Sequence, residues 1–228
     1  MIKRLSALVV IFLVINFTAF GHIDHYEDYD YLEYELFRNN KLIGFHKYNF
    51  ERNKDTLIIK SEVKFDIIKL GVNLYSYKAI SEESYKNNNF FKFSSKTKQN
   101  EKKKYVNIEF DNKNDKLVID GSSYKGDANK DFIVGTWWNH EIIQAKAQIS
   151  AISGRIIHQR VTFLGKEKLK INDKIYDALH FNFSSSDKNL PGKKKLNTDI
   201  WYDEKTNLWL KASFDKTGHW EYRIKKYN

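Results

Sequence analysis

The sequence predicts a mainly β protein, an antiparallel meander that forms a strongly curved sheet or incomplete barrel, with one short helix (about 137–150) near its mouth or concave face. Two observations carry the sheet: apolar residues recur at every second position, and Asn- and Asp-rich clusters punctuate the runs at strand-like intervals. A single break in that period carries the helix.

The alternation is plain from Leu57 to Ile67, where Leu57, Ile59, Val63, Phe65 and Ile67 are separated by Lys60, Glu62, Lys64 and Asp66. This is how a strand with one wet face reads. Phe91 and Phe93 against Lys92, Ser94, Lys96 and Lys98 repeat it, as do Val106, Ile108 and Phe110, and finally Trp220, Tyr222 and Ile224. Turn chemistry falls between the runs at Asn39-Asn40, Asn53-Lys54-Asp55, Asn87 to Asn89, Asn112 to Asp115, Asn172-Asp173 and Lys205 to Asn207. A sheet with one polar face must bury the other by curling or by being covered. From Trp138 through Ile142, Ala145 and Ile149 the apolar spacing is four, three, four, which is helical. Thr136 or Asn139 would cap a helix of about three turns before Ser153-Gly154 stops it. It would divide about seven strands from about six.

The start of the chain reads as a secretory signal peptide, with Lys3 and Arg4, an apolar run from Leu5 to Ile15 broken only by Ser6, and Ala19-Phe20-Gly21 as the cleavage signal. The run is shorter than the roughly 20 apolar residues a membrane span needs. The expected organisation is therefore residues 1–21 as leader and 22–228 as a single β-rich domain, exported to the periplasm or beyond, with no stable membrane span after cleavage. There is no cysteine, so neither disulfides nor a lipidated cysteine is available. Net charge is +10, or +8 without Lys3 and Arg4. The surplus is mostly lysine scattered along strand alternations in a chain that is also rich in Asn and Ile, which with export argues against a nucleic-acid partner.

No G-x-S-x-G, H-E-x-x-H, P-loop or dinucleotide fingerprint is present, which weighs against an enzyme and leaves no cofactor assigned. Of seven histidines, His158 and His180 lie in strand-like runs and would form a metal site only if they met across a strand pair, and solvent-facing strand histidines are commoner, so no metal is expected. His22, if it became the N-terminus, would combine its α-amine with its imidazole beside Asp24, His25, Glu27 and Asp28 as copper ligands, although a frayed acidic terminus explains the same residues.

The segment GTWWNH (135–140) is the richest candidate site. Trp137, Trp138, Asn139 and His140 offer apolar walls and polar groups of the kind that hold a small molecule. The competing reading makes Trp138 the first core residue of the helix and Asn139 its cap, with Trp137 facing a cleft. Trp201 and Tyr202, in a later strand, complete the ligand-binding candidates.

Longer stretches, "IGFHKYNF", "VKFDIIKLGVNLYSYKAISEESYKNN", "TWWN", "SGRIIHQRVTFLG" and "DIWYDEKTNLWLKASFDKTGHWEYRI", resemble a family of exported bacterial proteins known as domain of unknown function 6134. Thr136 to Asn139 match its middle motif, Trp201 to Asp203 its late one, and Gly44, Gly154, Gly165 and Gly218 its recurring glycines. The resemblance spans nearly all of the chain after the leader and implies a β-rich body without implying a function. At fold level it is similar to periplasmic half-barrels that shield lipid or lipoprotein chains.

Three functions follow from these readings. The first is a non-catalytic binding or carrier module for a lipid-like or other amphipathic small molecule. The second is a structural or interaction protein of the cell envelope with a filled core. The third is a hydrolase using paired carboxylates such as Asp199 and Asp203 beside Trp201. One more expectation concerns register: the acidic run Asp24 to Glu35 and the basic final strand with Arg223, Lys225 and Lys226 would favour pairing of the first and last strands.

Overall fold

The computed structural model describes residues 26–228; the expected leader, His22, Asp24 and His25 lie outside the described residues. One antiparallel meander accounts for nearly all of the chain. Strands β1 (Tyr31–Arg38), β2 (Lys41–Asn53), β3 (Thr56–Lys69), β4 (Val72–Lys86), β5 (Asn89–Gln99), β6 (Lys102–Asp111), β7 (Lys116–Gly121) and β8 (Lys125–Asn129) follow by short turns. After the two-residue β9 (Ile133–Val134) come β10 (Ala147–Ile149), β11 (Ile156–Ile171), β12 (Lys174–Ser185), β13 (Asn197–Asp203), β14 (Trp209–Asp215) and β15 (His219–Tyr227). The spatial order is β8-β7-β6-β5-β4-β3-β2-β1-β15-β14-β13-β12-β11-β10-β9, so the first and last long strands sit side by side in the middle and two consecutive short strands form the edges.

Six of the turns fall at the clusters the sequence signals, whereas Leu70-Gly71 and Asn100-Glu101 close hairpins that no such cluster marked. Asn39-Asn40 and Asn87-Asn88 place two residues at positive φ, the arrangement that suits tight hairpins and that asparagine tolerates. Right-handed strand twist, increased at bulges between Glu33 and Tyr34, Ser84 and Tyr85, and Phe163 and Gly165, coils the sheet until its ends approach. At the seam Ser123 donates its amide to the Ser153 carbonyl at 2.9 Å and the Ser95 hydroxyl reaches the Ala151 carbonyl. Gly121 makes that approach possible, because a Cβ there would lie 2.6 Å from the Ser153 carbonyl oxygen. The edge strands β8 and β9 do not pair with each other, so the barrel is incomplete.

The interior is filled. Tyr34, Tyr48, Phe50, Ile59, Trp138, Phe183, Ile200, Tyr202 and Trp209 form the main cluster. A second cluster closes the seam, with Val134 of β9 and Ile149 of β10 packed on Phe93, Val106, Ile108, Leu117 and Ile119 of β5 to β7. The start of the described chain is tied down rather than frayed: Tyr26 is fully buried, its hydroxyl accepts the Trp209 amide at 3.0 Å, and Arg52 donates to the carbonyls of Tyr26 and Tyr29 and to Asp30.

The expected three-turn helix over 137–150 is not formed. Among the described residues there is no α-helix; His140–Ile143 is a single 3-10 turn, and Ala147–Ile149 is strand β10, paired with β11. Nine strands precede the turn and six follow it. The apolar four-residue step from Trp138 to Ile142 does describe that turn, but Ala145 lies in the link after it and Ile149 belongs to the buried strand β10. Gln159 of β11 decides where the turn ends, because its Nε2 donates to the carbonyls of both Ile142 and Ala145 at 3.0 Å. A cross-sheet amide thus satisfies carbonyls that another helical turn would otherwise use.

The pairing of first and last strands is formed. Glu33 lies opposite Lys226 and Glu35 opposite Arg223, and Lys225 reaches Glu33 at 3.2 Å and Glu35 at 3.6 Å. The Tyr31 hydroxyl, then Lys225, hold the Glu33 carboxyl below the usual range. Replacing both glutamates by lysine should lower the thermal midpoint by roughly 3 °C at low ionic strength and by less in high salt. A calorimetric scan at two salt concentrations checks this; equal midpoints for parent and variant at low salt would remove electrostatics from the choice of register.

Candidate functional site: a cleft at the seam

The local chain path around GTWWNH separates its residues. Gly135 lies close to Gln148, where a Cβ would sit 2.4 Å from Oε1 and displace that side chain. Trp137 then adopts φ of 62°, a left-handed conformation that costs a non-glycine residue about 1–2 kcal/mol. The kink sends the two indoles to different neighbours. Trp138 is fully buried, edge-on to Tyr26, Phe50 and Tyr85 at 5.5, 5.6 and 5.8 Å. Trp137 is half-buried against Trp209 and Tyr222 at 5.4 and 5.6 Å. Tyr48 and Tyr202 hold the kink by donating to the carbonyls of Thr136 and Trp137 at 2.5 and 2.9 Å. Asn139 caps the turn, accepting the Glu141 amide at 3.1 Å, and His140 stands on the turn itself, half-buried.

Behind this segment lies a carboxylate. Glu83 points inward from β4, buried on the face that also carries Tyr77, Ala79, Ser81 and Tyr85. Its Oε1 accepts from the Tyr85 hydroxyl at 2.6 Å, and its Oε2 from Trp138 Nε1 at 2.9 Å and from the Thr136 hydroxyl at 3.3 Å. Burial raises its pKa, and the three donors counteract this only in part. Asn139 Nδ2 extends the chain outward by donating to the Tyr85 hydroxyl at 3.5 Å. Glu83 is therefore connected through Tyr85 to Asn139.

Tyr85 and Asn139 form the floor of a cleft of about 490 Å³ between the two ends of the sheet. Phe90, Phe110, Leu117 and Phe132 wall it, and Asn88, Lys130, Asp131, Glu141 and Gln144 ring it. An apolar wall with a few placed polar groups is the composition of small-molecule sites.

The other predicted residues are elsewhere. Tyr202 is in the core, while Trp201 faces the outside of the same strand, stacked on His180 at 4.1 Å and under Lys211 Nζ at 4.8 Å, with its indole N–H donating to Glu167. His180 is opposite Gly165, so it does not meet His158, which instead packs near Phe132 at 5.7 Å. Among the described residues no cluster of three or more His, Asp or Glu side chains is arranged to hold a metal. Asp203 caps the following turn through the amides of Lys205 and Thr206, and Asp199 accepts from Asn182 at 3.0 Å. His46, enclosed by Tyr34, Tyr48, Trp209 and Tyr222, is pushed down to about 3 by burial and stays neutral. Glu83 and Tyr85 escape the sequence reading because the two glutamates of "SEESY" read as wet-face residues; the phase of Glu83, in step with Tyr77, Ala79, Ser81 and Tyr85, is the signal that separates it from Glu82.

Fold and cleft together define a β-barrel-like domain: one curled antiparallel sheet, a filled interior and an opening at the seam. The chain belongs to the family described as Domain of unknown function (DUF6134), whose sequence pattern matches residues 34–225. A crystal structure described as a beta-barrel-like protein of domain of unknown function DUF1849 from Brucella abortus is similar in fold, with a TM-score of 0.56 at 10% identity over 87% of this chain and 96% of that one. No curated protein matches the sequence.

Proposed function

We propose that the protein is an exported, non-catalytic binding module that holds an apolar or amphipathic molecule in the seam cleft. The observation that carries this is the cleft itself: about 490 Å³, walled by Phe90, Phe110 and Phe132, with the Tyr85 hydroxyl and the Asn139 carboxamide at its floor. The filled interior excludes the concave face as the container, so the ligand sits where the barrel fails to close. Export rests on the leader-like first 21 residues.

Denaturing the purified protein and weighing what is released by mass spectrometry should yield a stoichiometric lipid-like species. Phe132→Glu places a charge against that wall and should weaken binding of the probe 1-anilinonaphthalene-8-sulfonate roughly tenfold. No released species together with equal probe binding by parent and variant would overturn the proposal. That outcome would favour a structural or interaction protein of the envelope, a reading supported by the dense packing of Trp138, Trp209, Tyr34 and Phe183 in the interior.

A further inference from the structure

We propose that the tip of the β3–β4 hairpin is a finger that docks the protein on an anionic lipid bilayer. The hairpin outruns its neighbours. Strand β2 pairs with β3 only as far as Gly44 opposite Phe65, and β5 with β4 only as far as Tyr77 opposite Gln99, whereas β3 and β4 continue together to Lys69 opposite Val72. The five steps from Phe65 to Leu70 carry the tip about 16 Å past the last shared pair. Leu70 and Gly71, at φ of 51° and 77°, close it as a tight turn.

The tip is apolar and exposed: Ile68 at 64%, Leu70 at 95%, Val72 at 59% and Leu74 at 54%. Lys69 is the only charged residue between Ile68 and Leu74. Among the described residues nothing buries this protruding hairpin, and exposed to water it is an aggregation hazard. Its surroundings are basic. The meander places the β1–β2, β5–β6 and β14–β15 turns at the same end, with Lys41, Lys98, Lys102, Lys103 and Lys216 exposed on them. Of the acids nearby, Glu101 pairs with Lys98 at 3.6 Å, Asp215 with His219 at 3.0 Å, and Asp66 on the finger accepts from Asn73 at 3.2 Å. A groove of about 380 Å³ between Asn73 and Leu74 of the finger and Lys98 of the β5–β6 turn places the two features together. At the base of the finger, Phe65 packs against Tyr75, Tyr77 and Trp220 at 6.0, 4.8 and 5.3 Å, a rigid aromatic foot for the projecting aliphatics.

Aliphatic side chains that enter the headgroup boundary, ringed by lysines that attract acidic headgroups, are the two signals that together give reversible membrane attachment. A second copy of the chain fits less well. Symmetric tip-to-tip contact would bring Lys69 and its ring of lysines against their own images.

Flotation with phosphatidylcholine vesicles, and with vesicles that also contain phosphatidylglycerol, tests this on the full chain. The apolar run near the N-terminus is the same in every variant, so the comparison is internal. Expected is stronger binding to the anionic vesicles, weakened roughly tenfold by Leu70→Glu and made insensitive to lipid charge by the double change Lys102→Glu and Lys103→Glu. Circular dichroism and the thermal midpoint of each variant establish that it is folded, and Leu70→Ser serves as a milder change at the same site. Equal binding by parent and folded Leu70 variants would overturn the finger. So would equal binding of the parent to both vesicle types, or a concentration-dependent dimer that Leu70→Glu disperses with no preference for anionic vesicles. The cleft is untouched by these changes, so probe binding there should stay at parental strength whichever way the flotation falls.

Discussion

Replacing Trp138 by alanine is expected to destabilise the fold by about 3–5 kcal/mol, a fall in thermal midpoint on the order of 10 °C for a protein of this size. Two effects add. The indole is fully buried against Tyr26, Phe50 and Tyr85, and nothing in the filled interior is placed to collapse into the space it would leave. Its N–H is also one of the donors to Glu83, so its loss leaves a buried carboxylate with fewer partners. Trp138→Phe separates the two, keeping most of the area but not the donor, and should cost about 1–2 kcal/mol. Trp137→Ala, at the half-buried member of the pair, also relieves no cavity as deep and should cost less than Trp138→Ala. Urea denaturation of the three variants checks the order. A Trp138→Ala protein as stable as the parent would show that the buried ring is not part of the stabilising core.

Glu83 should give the chain a pH dependence opposite to that of most paired carboxylates. Burial raises its pKa in the folded protein above that of the unfolded chain, so the native state holds its proton more tightly. The stability this contributes is fully present below the unfolded-state pKa, and it is lost as pH rises through the folded-state pKa. Glu83→Gln removes the titration while keeping an acceptor for one donor, at a cost of about 1 kcal/mol in acid from the hydrogen bond it forfeits. The difference in stability between variant and parent should therefore shift in favour of the variant as pH rises from about 4 towards neutrality. Glu83→Leu, by contrast, leaves the buried Tyr85 and Trp138 donors without this acceptor, while the Thr136 hydroxyl keeps the Val134 carbonyl, and should cost about 3 kcal/mol in acid. Denaturation at a series of pH values decides the matter, because other titrating groups cancel between parent and Glu83→Gln. A difference that is constant with pH, or that moves the other way, would mean that Glu83 is ionised without penalty in the native state.

The outer face behaves in the usual direction. Burial by itself would raise Glu221, but hydrogen bonds from Lys211 and Arg223 outweigh it and hold the carboxyl below its ordinary value. Its stabilising share is present above the unfolded-state pKa and lost in acid, so the two glutamates, one facing in and one facing out, oppose each other across the acid range.

What the sequence by itself determined is whatever depends on near neighbours in the chain. Alternation from Leu57 to Ile67 defines a strand because side chains two apart share a face, and Asn39-Asn40 defines a hairpin because asparagine tolerates positive φ. Opposed charges on Glu33, Glu35, Arg223 and Lys225 were enough to point to the pairing of first and last strands, which the structure forms with Glu33 opposite Lys226 and Glu35 opposite Arg223. Trp138 as a core residue and Asn139 as a cap were legible for the same local reason. The length of the helical segment was not, because Gln159, remote in the chain, takes the carbonyls of Ile142 and Ala145 and turns the next residues over to a strand ladder. The seam cleft was not legible either. Its walls come from β4 to β7, β9 and the 3-10 turn, and only the accumulated twist of a long sheet carries those segments to one place. Glu83 became a candidate when the donors Tyr85, Thr136 and Trp138 were found to converge on it, a convergence that spans more than 50 residues of chain and that long-range packing alone produces.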